Sequence, residues 1–150
     1  MAGNPDAQAV RAFMAAGSVG PVDVTSNPLA AALGAQLVAV DAEAGEIRMV
    51  FRPDDTFKQG AGVVLGGAVS AMLDFAMAYA CFVVLPENQT VATTSMTTNF
   101  LGAAHGGMAV EAVGRVDKTG RRVMFTSAEL RAGGKLIANG TSSLLVLDLR

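Results

Sequence analysis

The chain has 150 residues, a formal net charge of −2 at pH 7 and a hydrophobic fraction of 51 %. This length suits one domain with a core of its own, and the charge balance lacks the basic surface that nucleic-acid binding requires. The single cysteine excludes an intramolecular disulfide framework and is typical of a reducing compartment. We therefore expect one cytoplasmic domain that does not bind nucleic acid.

The first elements predicted along the chain are two short helices, over residues 4–17 and residues 27–34. Each begins with an asparagine followed by a proline and is closed by a glycine, which are the usual start and stop signals. The N-terminus has no basic start followed by an unbroken apolar run, so it does not resemble a signal peptide. We expect residues 1–27 to be a helical extension of the domain.

Two strand signals follow and are joined by a turn. Residues 35–42 are mostly apolar, whereas residues 46–53 place apolar and charged side chains on alternate positions. Ala44-Gly45 lies between the two segments and suits a tight turn. The pair is therefore predicted to form a hairpin.

Residues 63–85, VVLGGAVSAMLDFAMAYACFVVL, are almost wholly apolar but carry one carboxylate, Asp74, near their middle. About 20 apolar residues are enough to cross a bilayer. However, an aspartate at the centre of a membrane helix costs roughly 2.5–3.5 kcal/mol, and no cluster of Lys or Arg flanks the segment. We therefore predict a helix that protein, and not lipid, surrounds on nearly all sides.

Four more strands are predicted after this helix, over residues 91–101, 108–118, 121–132 and 135–148. An antiparallel sheet can bury one face by wrapping a long helix. Its exposed edge is most simply protected by pairing with a second copy of the chain. The order predicts an α+β fold, an antiparallel sheet wrapped around one long apolar central helix, in at least a dimer.

This order of elements resembles the hotdog-fold thioesterases, and within them the PaaI-like (phenylacetic-acid-degradation) and 4-hydroxybenzoyl-CoA thioesterase group. The resemblance is carried by GAGVVLGGAVSAMLDFAMAYA at 60–80, by TTSMTTNFLGAAHGG at 93–107 and by the strands within 114–146. It implies a single hotdog domain that hydrolyses an aryl- or medium-chain acyl-CoA thioester. It implies no cofactor, because coenzyme A is part of the substrate, and a dimer or tetramer that associates with no membrane.

The resemblance also implies which residues form the active site. Gln59, Gly66 and Asp74 fall on the positions where the aryl-CoA branch has a glutamine, a helix-start glycine and a helix carboxylate, and they are the implied catalytic residues. Leu65 stands where many members have a histidine. After Leu101 the sequence continues Gly-Ala-Ala, where the family often has a basic residue that meets the ligand.

These residue types suit thioester hydrolysis on chemical grounds as well. A helix N-terminus offers free N–H groups and a partial positive charge, so Gly66 and Gly67 can stabilise an oxyanion. Gln59 can hold the carbonyl or the water, and Asp74 can act as a general base or as a nucleophile. At roughly 1.5 Å per residue, Gly66 and Asp74 are about 12 Å apart on one helix. One carbonyl can therefore meet both only if they come from two subunits.

Several neighbouring residues are expected to contact the substrate. Some flank the helix start or lie near Asp74 on its helical face, and two arginines follow a turn where they can meet a CoA phosphate. The predicted substrate-binding residues are Leu65, Gly67, Ser70, Met77, Ala78, Arg121 and Arg122.

Each of these residues also has a purely structural explanation. Asp74 can be a buried acid held by Ser70 or by the backbone, and the glycine pair can serve only close packing of helix on sheet. Gln59 and the arginine pair can be solvated loop residues. The sequence leaves these explanations open.

Two further residues are expected to lie outside the site. His105 is the single histidine and falls in the glycine-rich segment AAHGG between strands, so a surface loop is predicted. Cys81 is predicted to fill the core. No residues have the spacing of metal ligands, and there is no nucleophile elbow or phosphate-binding loop, so no metal is predicted.

Two other functions stay open on this fold. Hotdog hydratases and dehydratases generally pair a histidine with an acid at the helix, and this helix has no histidine. A non-catalytic acyl-CoA-binding module is the stronger alternative, because Leu65 replaces the histidine that is frequent in the family.

Overall fold

The structure is a computed structural model that describes residues 3–150. The described chain has three α-helices and seven strands, which form one antiparallel sheet in the order β1-β2-β3-β5-β6-β7-β4. The predicted fold, a sheet wrapped around one long helix, is confirmed. The elements are α1 (Pro5–Ala15), β1 (Val19–Asp23), α2 (Pro28–Ala32), β2 (Gln36–Asp41), β3 (Glu46–Phe51), α3 (Gly66–Val84), β4 (Gln89–Phe100), β5 (Val110–Thr119), β6 (Val123–Ala132) and β7 (Lys135–Asp148).

Helix α3 is the core helix of the domain. Its most apolar window has a mean hydropathy of 1.7, enough by length and composition to cross a membrane, but 56 % of that window is buried inside the fold. Met72, Leu73 and Met77 are completely buried. The apolar character of α3 therefore reflects burial against the sheet and against α1, as the sequence predicts.

Close contact between α3 and the sheet depends on a glycine in β5. A Cβ atom at Gly114 would overlap the backbone carbonyl of Ala76 in α3. Because the obstacle is backbone and not the end of a flexible side chain, the helix and the strand would have to move apart.

We expect Gly114→Ala to lower the free energy of unfolding by about 1–3 kcal/mol, the usual cost of overpacking a core. Gly60→Ala is the matched control, since nothing lies within 4 Å of the position of its added Cβ; we expect it to change stability by no more than about 0.5 kcal/mol. Urea unfolding followed by circular dichroism measures both. Equal midpoints for the two variants would contradict the packing explanation.

The N-terminal extension is helical only in part, which corrects the sequence prediction. Residues 19–23 form β1, an edge strand that pairs with β2. In the sequence, Pro21 argues against a strand because proline has no N–H to donate. The edge of a sheet nevertheless tolerates a proline. The extension is anchored to the domain by Asn4, whose Nδ2 donates to the hydroxyl of Thr90, while the Asp6 carboxylate accepts hydrogen bonds from Ser26 and Asn27 within the extension.

The other edge of the sheet is β4, which pairs only with β7. It is 12 residues long and rich in threonine, and most of its side chains are exposed or half-buried. Its outer edge presents unpaired backbone N–H and C=O groups along this length. β4 is therefore the sheet edge with the greatest capacity to pair with another chain.

Candidate active site

The first turn of α3 has two free donors. Leu65 is the N-cap residue and makes no side-chain capping hydrogen bond, while its carbonyl accepts from the N–H groups of Ala68 and Val69. The N–H groups of Gly66 and Gly67 have no hydrogen-bond partner within residues 3–150. They lie at the positive end of a 19-residue helix and are suited to bind a developing oxyanion.

Asp74 is half-buried in the third turn of α3 and is held by a residue that the sequence did not reveal. The hydroxyl of Thr93 in β4 donates to Oδ1 of Asp74 at 2.8 Å. The partner is therefore Thr93 and not Ser70, and Oδ2 has no hydrogen-bond partner in the described chain. A carboxylate with one oxygen oriented and the other free can accept a proton from water or attack a carbonyl carbon.

A β-bulge at Thr94 brings β4 to both ends of this site. Thr93 pairs with Leu144 and Ser95 pairs with Ser143, so Thr94 is an extra residue in β4. Thr93 faces α3 before the bulge, and the even-numbered residues face it afterwards, ending with the ring of Phe100 against Gly66. A bulge re-aims side chains in this manner. Without the bulge, the side chains of Thr93 and Phe100 would lie on opposite faces of the sheet, and only one of them could contact α3.

Gln59 lies in the loop that leads into α3. Its N–H donates to the carbonyl of Val63 at 2.8 Å, and its side-chain Oε1 accepts from the N–H of Ala61. The amide oxygen is therefore engaged in closing this loop, and the amide NH2 group of Gln59 has no hydrogen-bond partner in the described chain. The same loop is fixed to the helix start by the N–H of Leu65, which donates to the carbonyl of Phe57 at 2.7 Å.

The predicted acyl-pocket residues divide into two groups. Ser70 and Ala78 are half-buried and share with Asp74 the side of α3 that the sheet leaves open. Met77 is completely buried, with its terminal methyl directed towards Gly140 of β7. The structure therefore places Met77 in the core of this chain, whereas Ser70 and Ala78 lie on the accessible side with the carboxylate.

Arg121 and Arg122 are exposed in the turn between β5 and β6. They line an open cavity of about 640 Å³ together with Gln89, Asp148 and Arg150. The carbonyl of Arg122 accepts from the N–H of Val146, which places the pair beyond the C-terminal half of α3. The arginine pair therefore lies at the end of the sheet opposite to Gly66.

His105 and Cys81 lie where the sequence predicts. His105 is exposed in the loop after β4, where its backbone forms a bridge with Val63. Cys81 is completely buried, and burial raises the pKa of its thiol to about 12. Within residues 3–150, no three His, Cys, Asp or Glu side chains come together as a metal site would require.

The free donors and the carboxylate do not meet within one chain. Gly66 and Asp74 are eight residues apart on α3, a separation of about 12 Å along the axis. The carboxylate, or a water that it activates, can attack a carbonyl carbon while the two N–H groups bind the oxygen of the same carbonyl. Both can do so only when they come from different copies of the helix. The open side of α3 and the free edge of β4 lie together.

A long core helix that carries a carboxylate and begins with two uncapped glycines, wrapped by an antiparallel sheet, is the architecture of hotdog thioesterases. Residues 61–138, just over half of the chain, match the thioesterase superfamily. The chain belongs to this superfamily. The match spans the start of α3, Asp74 and Thr93, so it contains both parts of the candidate site.

Individual relatives agree with this assignment. A Pseudomonas aeruginosa protein that bears the name "putative esterase" is 31 % identical over 116 residues, which are 77 % of this chain and 86 % of that protein. A phenylacetic acid degradation-related protein from Ralstonia eutropha is 29 % identical, with a TM-score of 0.79 over 95 % of this chain and 99 % of that chain. A thioesterase family protein from Silicibacter pomeroyi is also 29 % identical, with a TM-score of 0.76 over 95 % and 98 %.

Proposed function

We propose that the chain is a cytoplasmic acyl-CoA thioesterase that hydrolyses an aryl- or medium-chain acyl-CoA. The observation that carries the proposal is the pair of partnerless N–H groups at Gly66 and Gly67, on the same helix as a carboxylate that Thr93 orients. In a member of the thioesterase superfamily these are the two groups that thioester hydrolysis needs: an oxyanion donor and a base or nucleophile.

The N–H donors and the carboxylate have separate roles in the reaction. The thioester carbonyl oxygen accepts hydrogen bonds from the N–H groups at the start of α3, which stabilises the negative charge that develops on it. As a base, Asp74 takes a proton from water while the water oxygen bonds to the carbonyl carbon. The C–S bond then breaks, and the CoA sulfur leaves and is protonated. As a nucleophile, Asp74 forms a mixed anhydride as the CoA thiolate leaves, and water hydrolyses the anhydride.

The proposed active unit contains two copies of the chain. The helix start of one subunit supplies Gly66, and the partner supplies the carboxylate from its own α3, since one helix holds the two about 12 Å apart. Pairing of the β4 edges would bring the open sides of the helices together and would also cover the unpaired edge. Two such dimers can pair again into a tetramer.

The arginine pair offers a binding surface for the coenzyme. Arg121 and Arg122 are exposed beside an open cavity of about 640 Å³, large enough for a phosphate-bearing group. Guanidinium groups bind phosphate oxygens through directed hydrogen bonds. Because the pair lies at the end of the sheet opposite to Gly66 of its own chain, we assign to the CoA phosphates the pair of the subunit that supplies the carboxylate. The enzyme uses no separate cofactor, because the coenzyme arrives as part of the substrate.

Release of free thiol from a panel of aryl- and acyl-CoAs tests this proposal. We expect the wild-type protein to release CoA from benzoyl-, phenylacetyl- or hexanoyl-CoA, and to sediment at micromolar concentration as a dimer or tetramer of the 15.3 kDa chain. Binding without release from any thioester would contradict the enzyme and would indicate a non-catalytic acyl-CoA-binding module. Sedimentation as a monomer would contradict the two-subunit site.

A further inference from the structure

The start of α3 lies between two exposed apolar side chains. The ring of Phe100 approaches within 3.4 Å of the position that a Cβ atom on Gly66 would occupy, and Cδ2 of Leu65 is 3.9 Å from the equivalent position on Gly67. Phe100 is 57 % exposed and Leu65 is 51 % exposed. Because the two side chains flank the same helix start, they form an exposed apolar patch beside the two free donors, and patches of this kind mark ligand-binding surfaces.

The two segments that form this surface carry no polar side chain. Residues 63–69 and residues 100–104 consist only of glycine, alanine, valine, leucine and phenylalanine. A ligand whose carbonyl oxygen binds the N–H of Gly66 has the carbon atoms next to that carbonyl within reach of these segments. A hydroxyl or a charge on carbons that pack against these segments would lose its water and find no partner among their side chains.

We propose that Phe100 and Leu65 are specificity-determining residues that select acyl groups whose carbons adjacent to the thioester carbonyl are apolar. The occupant of the apolar surface is thus the first part of an alkyl or aryl acyl chain, and thioesters that carry a hydroxyl at C3 are disfavoured. This inference rests on the proposed thioesterase function and identifies the class of substrate for that site.

Matched substrates and matched variants test the inference. We expect wild-type kcat/KM for hexanoyl-CoA to exceed that for 3-hydroxyhexanoyl-CoA by about 10- to 100-fold, because the hydroxyl is desolvated without a partner. Phe100→Ala should reduce this preference about tenfold by opening the surface to water. Leu65→Gln should also reduce this preference, because the glutamine amide supplies a hydrogen-bond partner for the hydroxyl. Phe125→Ala is the control, since Phe125 is 45 % exposed on β6, away from α3, and should leave the preference unchanged.

The outcomes separate this inference from the proposed function. Equal kcat/KM of the wild type for the two substrates would overturn the inference and leave the thioesterase intact. Should neither substrate release thiol, the function fails, and calorimetric binding of S-hexyl-CoA against S-(3-hydroxyhexyl)-CoA still decides whether the surface selects apolar chains. A Phe100→Ala protein that changes its sedimenting mass but keeps the wild-type preference would place Phe100 in a subunit interface and overturn its role in specificity.

Discussion

Asp74→Asn is expected to lower kcat/KM for thioester hydrolysis by about 10²–10⁴-fold, the usual contribution of a positioned base. The amide has nearly the size of the carboxylate and can keep the hydrogen bond from Thr93 through its oxygen, so the fold should be unaffected. It has, however, neither the basicity to deprotonate water nor the charge to attack a carbonyl. Thiol release from the best substrate under kcat/KM conditions measures the loss.

The chain offers a matched control for this variant. Asp117 on β5 also accepts a hydrogen bond from a hydroxyl, that of Ser127 at 3.0 Å, but it lies on the exposed face of the sheet. Asp117→Asn should therefore keep wild-type activity and stability. Full activity in Asp74→Asn, with both variants folded, would show that the carboxylate in α3 has only a structural role.

Gly66→Pro is expected to lower kcat by about 10²–10³-fold, the loss typical of removing one oxyanion donor. Proline removes the N–H but is favoured at the first position of a helix, so α3 should keep its start. The preceding residue, Leu65, has φ −58° and ψ 139°, the conformation that a residue before proline prefers. The substitution therefore deletes a hydrogen-bond donor with little change to the backbone.

Gly66→Ala separates the lost donor from added bulk. It keeps the N–H and places a methyl group 3.4 Å from the nearest atom of the Phe100 ring, a close contact to which an exposed side chain can adjust. We expect the alanine variant to lose much less activity than the proline variant. Equal losses in the two variants would mean that Gly66 serves packing and that the oxyanion is held elsewhere.

The elements of the fold could be predicted because each follows from a local pattern. Asparagine and proline mark the starts of α1 and α2, and the apolar run with a single aspartate predicts α3. The β1 strand could not be predicted in this way. Pro21 opposes a strand locally, and only the position of β1 at the sheet edge, where an N–H is not needed, makes it acceptable.

The orientation of residues around α3 was also beyond the sequence. Met77 and Ala78 are three and four residues after Asp74 on a helix that is otherwise almost wholly apolar, so periodicity does not show which of the two the sheet covers. The structure decides this by bringing Gly140 of β7 against Met77 and leaving Ala78 on the open side.

The sequence by itself determined the chemical groups of the candidate site: a glycine pair at a helix start and one carboxylate on the same helix. Only the tertiary structure decided which residues surround them. Thr93 reaches Asp74 and Phe100 reaches Gly66 because a single extra residue, Thr94, shifts the alternation of β4 between them. Local patterns determine elements, but contacts between distant segments depend on strand register, and a shift of one residue moves every later side chain to the opposite face of the sheet.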